Sequence, residues 1–108
     1  MGNSSAELRA ITQKVIASEQ ITVATPGTAV HPTSNVDAVY VRVMNNTANK
    51  VVCGMQDAEV DAIVSPIKGF VLNTYDSRVF AVVNDAAEVF VDADIAGTKA
   101  SIEILGRD

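Results

Sequence analysis

From Ile21 onward the chain alternates apolar and polar residues with a period of two, the pattern of strands that bury one face. In "AVYVRVM" the alternation sets Val39, Val41 and Val43 on one side and Tyr40, Arg42 and Met44 on the other. The same grammar recurs in "ITVAT", "KVVCGM", "IVSPIKG", "FVLNT", "RVFAVV", "EVFVDA" and "KASIEIL". Between these runs stand "TPGTAVHPTSN", which suits a turn, a short edge strand and a loop, then "NNTAN", the polar "QDAEVDA", "YDS", "NDAA" and the turn around Gly97. About eight short strands with a turn signal every 8–12 residues or so predict an antiparallel sandwich or barrel, and two packed sheets are the expectation.

The N-terminal stretch "NSSAELRAITQKVIASEQ" has a different period. Ser4 and Glu7 have capping-box spacing, and Leu8, Ile11 and Val15 recur like the stripe of an amphipathic helix. The spacing predicts a short helix at about residues 5–17; the other reading is an arm that orders only against a partner. The expected organisation is thus an N-terminal arm or short helix over residues 1–19 and one β-sandwich domain over residues 20–108. At 108 residues the chain is large enough for a single core, and no repeat, linker or low-complexity segment divides it.

Composition sharpens the all-β reading. Hydrophobic residues make up 48% of the chain but aromatics only 5%, and Val, Ala and Ile dominate over Leu. The net charge of -5 is uneven, with residues 1–50 near neutral and residues 51–108 carrying ten acids against four bases. An acidic half repels phosphate backbones, so nucleic acid is not expected as a partner. Cys53 stands alone, which excludes an intramolecular disulfide framework and fits synthesis in a reducing cytosol. No basic segment followed by an apolar core opens the chain, and no apolar run approaches the roughly 18 residues of a membrane span. A soluble chain without membrane partners is expected.

One segment invites a metal reading. "DADIAGTKASIE" places Asp92, Asp94, Gly97 and Glu103 at positions one, three, six and twelve of a calcium loop. Position five, however, is Ala96, which has no side-chain oxygen, and position eight is Lys99. The flanks alternate as strands where helices are required. On a strand Glu88, Phe90, Asp92 and Asp94 share one face, so the acids are expected to form a solvated sheet face ending in a hairpin at Gly97. No metal or other cofactor is expected.

No enzyme signature emerges either. His31, the only histidine, precedes Pro32 in a loop and has no nucleophile motif to serve, so a surface or interface role is expected. Cys53 sits in an apolar strand and reads as a small buried hydrophobe. Asp57, Glu59 and Asp61 read as solvated loop acids, and "ATPGTAV" lacks the lysine of a phosphate-cradling loop. The acceptor pattern Asn45-Asn46-Thr47 has no export signal to give it meaning. No catalytic residue is assigned.

The order of segments nevertheless resembles a family. "ITVATPGTAVHP", "AVYVRVMNNTANKVVCGM", "FVLNT" and "NDAAEVFVDADIAGTKASIEIL", spanning residues 20–105, are similar to the small jelly-roll-like β-sandwich proteins that decorate and cement tailed-phage capsids or form the bases of head fibres. The polar "QDAEVDA" loop and the glycine-poor middle turn depart from that family's pattern. The resemblance implies a non-catalytic virion protein on the capsid exterior, made in the bacterial host cytoplasm, acting as a homodimer or homotrimer. Its implied partner is the major capsid protein, whose neighbouring subunits it bridges and stabilises.

The residues themselves accommodate this expectation. A strand-rich domain without catalytic groups leaves edges and apolar faces that association covers. Leu8, Arg9, Ile11, Lys14 and Val15 are the expected contacts with capsid or sister subunits, because a near-neutral amphipathic segment gains order by burying its stripe. The competing expectations are another virion component, such as a head–tail joining or tail protein, and a glycan-binding sandwich. The scarcity of aromatics disfavours the latter.

Overall fold

A computed structural model of the chain describes residues 14–106. In chain order the strands are β1 (Lys14–Val23), β2 (Ala38–Met44), β3 (Val51–Gly54), β4 (Phe70–Leu72), β5 (Ser77–Ala81), β6 (Phe90–Ala93) and β7 (Thr98–Gly106). They form two antiparallel sheets, a larger one of order β1-β7-β2-β5 and a smaller one of order β4-β3-β6. The all-β sandwich expected from the alternation is present, with seven strands rather than eight. The expected strand at "IVSPIKG" is instead a loop pinned by one bridge between Asp61 and Lys68. Pro66 has no N–H to give a ladder there, and pairing with β3 begins only at Phe70.

The N-terminal helix expected to reach residue 17 is corrected over its described part. Lys14 to Ala17 are strand, paired with β7 from Lys14 opposite Gly106 to Val23 opposite Thr98. Residues 5–13 of that expectation lie outside the described residues. The physical reason is competition for Val15: the helical stripe claims it, but so does a β-branched run that buries Ile21 and Val23 against the core. Strand pairing wins, and β1 crosses the expected boundary at residues 19 and 20 without a break. A bulge at Ile16 shifts the register between Val15 and Ala17.

Between the sheets, Ile21, Val23, Val41, Val43, Ile102 and Ile104 meet Val51, Cys53, Leu72, Val91 and Ala93. Each fully buried Val or Ile contributes roughly 1.5–3 kcal/mol, so this layer dominates stability. From Val41 onward the alternation of β2 is as the sequence predicts, with Val41 and Val43 fully buried while Arg42 turns outward to Glu103. Before it Val39 is half-buried and Tyr40 buried, where the register against β7 shifts between Ala38 and Tyr40.

A second, smaller core covers the outer face of the smaller sheet. Val52 packs there with Val60 and Ala62, against Ala29 and Phe90. The loops that follow β1 and β3 supply Ala29, Val60 and Ala62, while Val52 and Phe90 come from β3 and β6. Asp85 opens a short 3₁₀ turn at Ala86–Glu88 with a reciprocal cap: it accepts the Ala87 N–H at 2.9 Å, and Glu88 accepts the Asp85 N–H at 2.7 Å.

Candidate functional site

The acids that suggested a calcium loop are dispersed. Asp92 is fully buried, a correction to the solvated face expected for it. Its carboxylate accepts the Ala62 N–H at 2.8 Å and the Gly27 N–H at 3.1 and 3.2 Å. Gly27 sits at a φ of 88°, and an added Cβ there would lie 2.8 Å from Ile63 Cδ1, so the approach to Asp92 depends on glycine. Asp94 pairs instead with Lys50 at 3.7 Å, and Glu103 with Arg42 at 2.6 Å. Each of the three acids thus serves a different structural partner. Among the described residues no group of three or more His, Cys, Asp or Glu side chains is placed to hold a metal ion.

Other candidate side chains are likewise engaged. Cys53 is buried as expected, and burial pushes its thiol up to about 12, the positive charge of Arg78 acting in the opposite sense. A neutral buried thiol is a poor nucleophile. His31 is exposed, its ring edge-on to Phe90 with centroids 5.5 Å apart and Nδ1 at 2.8 Å from the Pro32 carbonyl oxygen. Asn45, the would-be glycan acceptor, is fully buried and donates its amide to the carbonyls of Asn49 and Leu72. A sugar cannot be attached there without unfolding the turn.

Asp85 and Glu88 hold their carboxyls below the usual range. For Asp85 the main cause is the Ala87 N–H, followed by the Ser34 hydroxyl and the Asn35 N–H. For Glu88 it is the N–H groups of Val83 and Asn84. Both are half-buried caps that organise the turn before β6.

What remains open is one flank of the sandwich, where β4 and β5 end their respective sheets. Phe70 and Phe80 point into the gap between the sheets, with ring centroids 6.1 Å apart. Arg78 lies over them, its guanidinium carbon 3.5 Å from the Phe70 centroid. Phe70, Val71 and Val79 stay exposed on this flank, with Tyr75 in the turn that joins the two strands. Arginine and aromatics stacked at an exposed edge are the residue types that anchor protein interfaces. The sequence signal for this flank is "RVFAVV", a run apolar on both faces that nevertheless forms an outer strand.

Of the expected contact residues, Leu8, Arg9 and Ile11 lie outside the described residues. Lys14 and Val15 begin β1, with Val15 48% exposed. They lie on the opposite sheet edge from β5, so the structure does not bring them together with the aromatic flank. Comparison with known proteins returns no match: no family model, no curated protein and no solved structure matches the chain.

Proposed function

We propose that the protein is a non-catalytic virion structural component that docks as an oligomer on the outside of an assembled tailed-phage capsid and stabilises it by bridging coat subunits. The observation that carries this reading is the open flank, where two sheets end side by side with Phe70, Val71, Val79 and Arg78 exposed. Polar side chains of the kind that do chemistry are meanwhile committed to the fold, as Asp92, Asn45, Asp85 and Glu88 illustrate. A small sandwich of this kind acts through its edges and faces. Repeated over a shell, individually weak contacts add by avidity, and the segment order described above supplies the shell as partner.

Co-sedimentation with mature, expanded capsids of the phage that carries the protein tests this. The expected result is saturable binding and a higher temperature of capsid disruption. Absence of binding to every expanded capsid offered would remove the reading. Copies confined to one ring at a vertex would favour a head–tail component instead.

A further inference from the structure

The four outer strands differ in how their free sides are closed. β6 is bridged by Val30, which exchanges two 2.8 Å backbone hydrogen bonds with Val91. β1 carries the bulge at Ile16, and its Glu19 side chain accepts the Thr33 N–H at 2.7 Å from the adjoining loop. β4 has only 3 residues. β5 has 5 residues and none of these protections.

The hydrogen-bond phase of β5 follows from its ends. The Val82 N–H donates to the Val39 carbonyl at 3.1 Å, and the Asn45 N–H donates to the Asp76 carbonyl at 3.0 Å. Even-numbered residues therefore face β2, and by alternation Ser77, Val79 and Ala81 turn their N–H and C=O groups outward. These groups have no partner among the described residues.

We propose that β5 is the seam of a two-fold symmetric homodimer, in which the strand pairs antiparallel with its own copy about Val79. This register sets Val79 against Val79 and Ser77 against Ala81, and the outward groups form about six hydrogen bonds. Arg78 then faces Phe80 of the second copy rather than its own equivalent, so the one charge on the strand meets an aromatic ring. Beyond the strand the same register brings Tyr75, 83% exposed, beside Val83, 82% exposed.

The occupant is a second copy because the edge is self-complementary in this one register. With Phe70 and Val71 flanking the seam, the surface on offer is on the order of several hundred Å² per copy, against about 800 Å² per partner in a standard interface. The larger sheets of the two copies become one continuous eight-stranded sheet. The seam specifies the oligomer invoked in the function above but does not depend on the shell.

Light scattering and sedimentation equilibrium on the full chain at tens of micromolar test the seam. The expected result is a dimer, weakened about tenfold or more by Val79→Lys, which opposes two like charges across the axis. Ile95→Lys, in the turn that crosses from β6 in one sheet to β7 in the other and not in the hairpin expected at Gly97, lies away from β5 and is expected to leave it intact. The double variant Ser77→Cys with Ala81→Cys is expected to give a covalent dimer on mild oxidation, and this decides the matter should Val79→Lys fail to fold. A monomeric wild-type chain, a dimer indifferent to Val79→Lys, or no covalent dimer overturns the proposal. So does a dimer that is lost only when residues 1–13 are removed. A chain that dimerises as described yet binds no capsid leaves the seam standing and removes the docking reading alone.

Discussion

The carboxylate of Asp92 reaches across 30 residues of sequence to accept the backbone N–H of Ala62 at 2.8 Å, and the same oxygen receives the Gly27 N–H. One buried acid thereby pins two loops onto the outer face of the smaller sheet. Asp92→Ala strands both donors, and a loss of about 2–4 kcal/mol is expected. Urea unfolding checks it. Asp92→Asn, which sets an amide N–H against a backbone N–H, should fall between wild type and alanine.

Calcium offers a separate check on the same segment. Because Asp92, Asp94 and Glu103 each serve a different partner, micromolar calcium is expected to leave the melting temperature unchanged. An upward shift would indicate a cation bound by the native state.

Acid sensitivity should centre on the turn before β6. Asp85 and Glu88 titrate lower in the folded chain than their ordinary values of 3.8 and 4.5. Their contribution is therefore complete above those values and is lost as pH falls through the lower, folded-state ones. Asp85→Asn and Glu88→Gln are each expected to flatten the decline of stability below about pH 4.5, measured by urea melts across pH 2.5–6 or so. An unchanged acid slope would show that the caps contribute nothing.

Cys53 is expected to resist alkylation at pH 8 until the chain unfolds, since its thiol stays neutral up to about 12. In the unfolded chain the thiol ionises near 9.0, so stability should fall as pH rises above that value. Thiol-reagent kinetics with and without denaturant give the comparison. Cys53→Ala should remove the alkaline decline attributable to this group.

Two glycines separate strain from crowding. Gly97 has a φ of 84° with nothing within 4 Å of an added Cβ, whereas Gly69 has a φ of 109° and a Cβ there would lie 3.1 Å from the Cys53 carbonyl oxygen. Gly97→Ala is expected to cost about 1 kcal/mol from backbone conformation alone. Gly69→Ala should cost more, because β3 must also shift. Thermal melts of the pair decide.

The strand grammar of this chain was readable because most strands bury one face, as Val41 and Val43 against Arg42 show. It misled where both faces are covered. Val52 and Asp92 are opposite one another on the outer face of the smaller sheet, and a period of two marks that face as solvent. What buries it is the pair of loops around Gly27 and Ala62, contributed from distant sequence. Such coverage leaves no periodic trace, so the tight hydrogen bonding of Asp92 was invisible from local pattern. The open flank was hidden for a related reason, since "RVFAVV" reads equally well as an interior strand. At the N-terminus Val15 satisfied two periods at once, and only pairing with β7 resolves which one holds.

That pairing also changes how the docking arm is to be tested. Removing residues 1–19 would take away most of β1 and the Glu19 acceptor of Thr33. Removing residues 1–13 leaves every described strand intact and takes away Leu8, Arg9 and Ile11. The shorter deletion is expected to weaken capsid binding without altering the melting temperature. Undiminished binding would remove the arm from the docking reading.

Lys14 and Gly106 face each other at one corner of the larger sheet. In a chain trimmed to residues 14–106, a peptide or fluorescent protein fused at Lys14 or at Gly106 therefore departs from the same corner, on the side of the sheet away from β5. Cargo displayed from one end crowds cargo displayed from the other, and a linker joining the two would yield a circularly permuted chain with the seam strand left free.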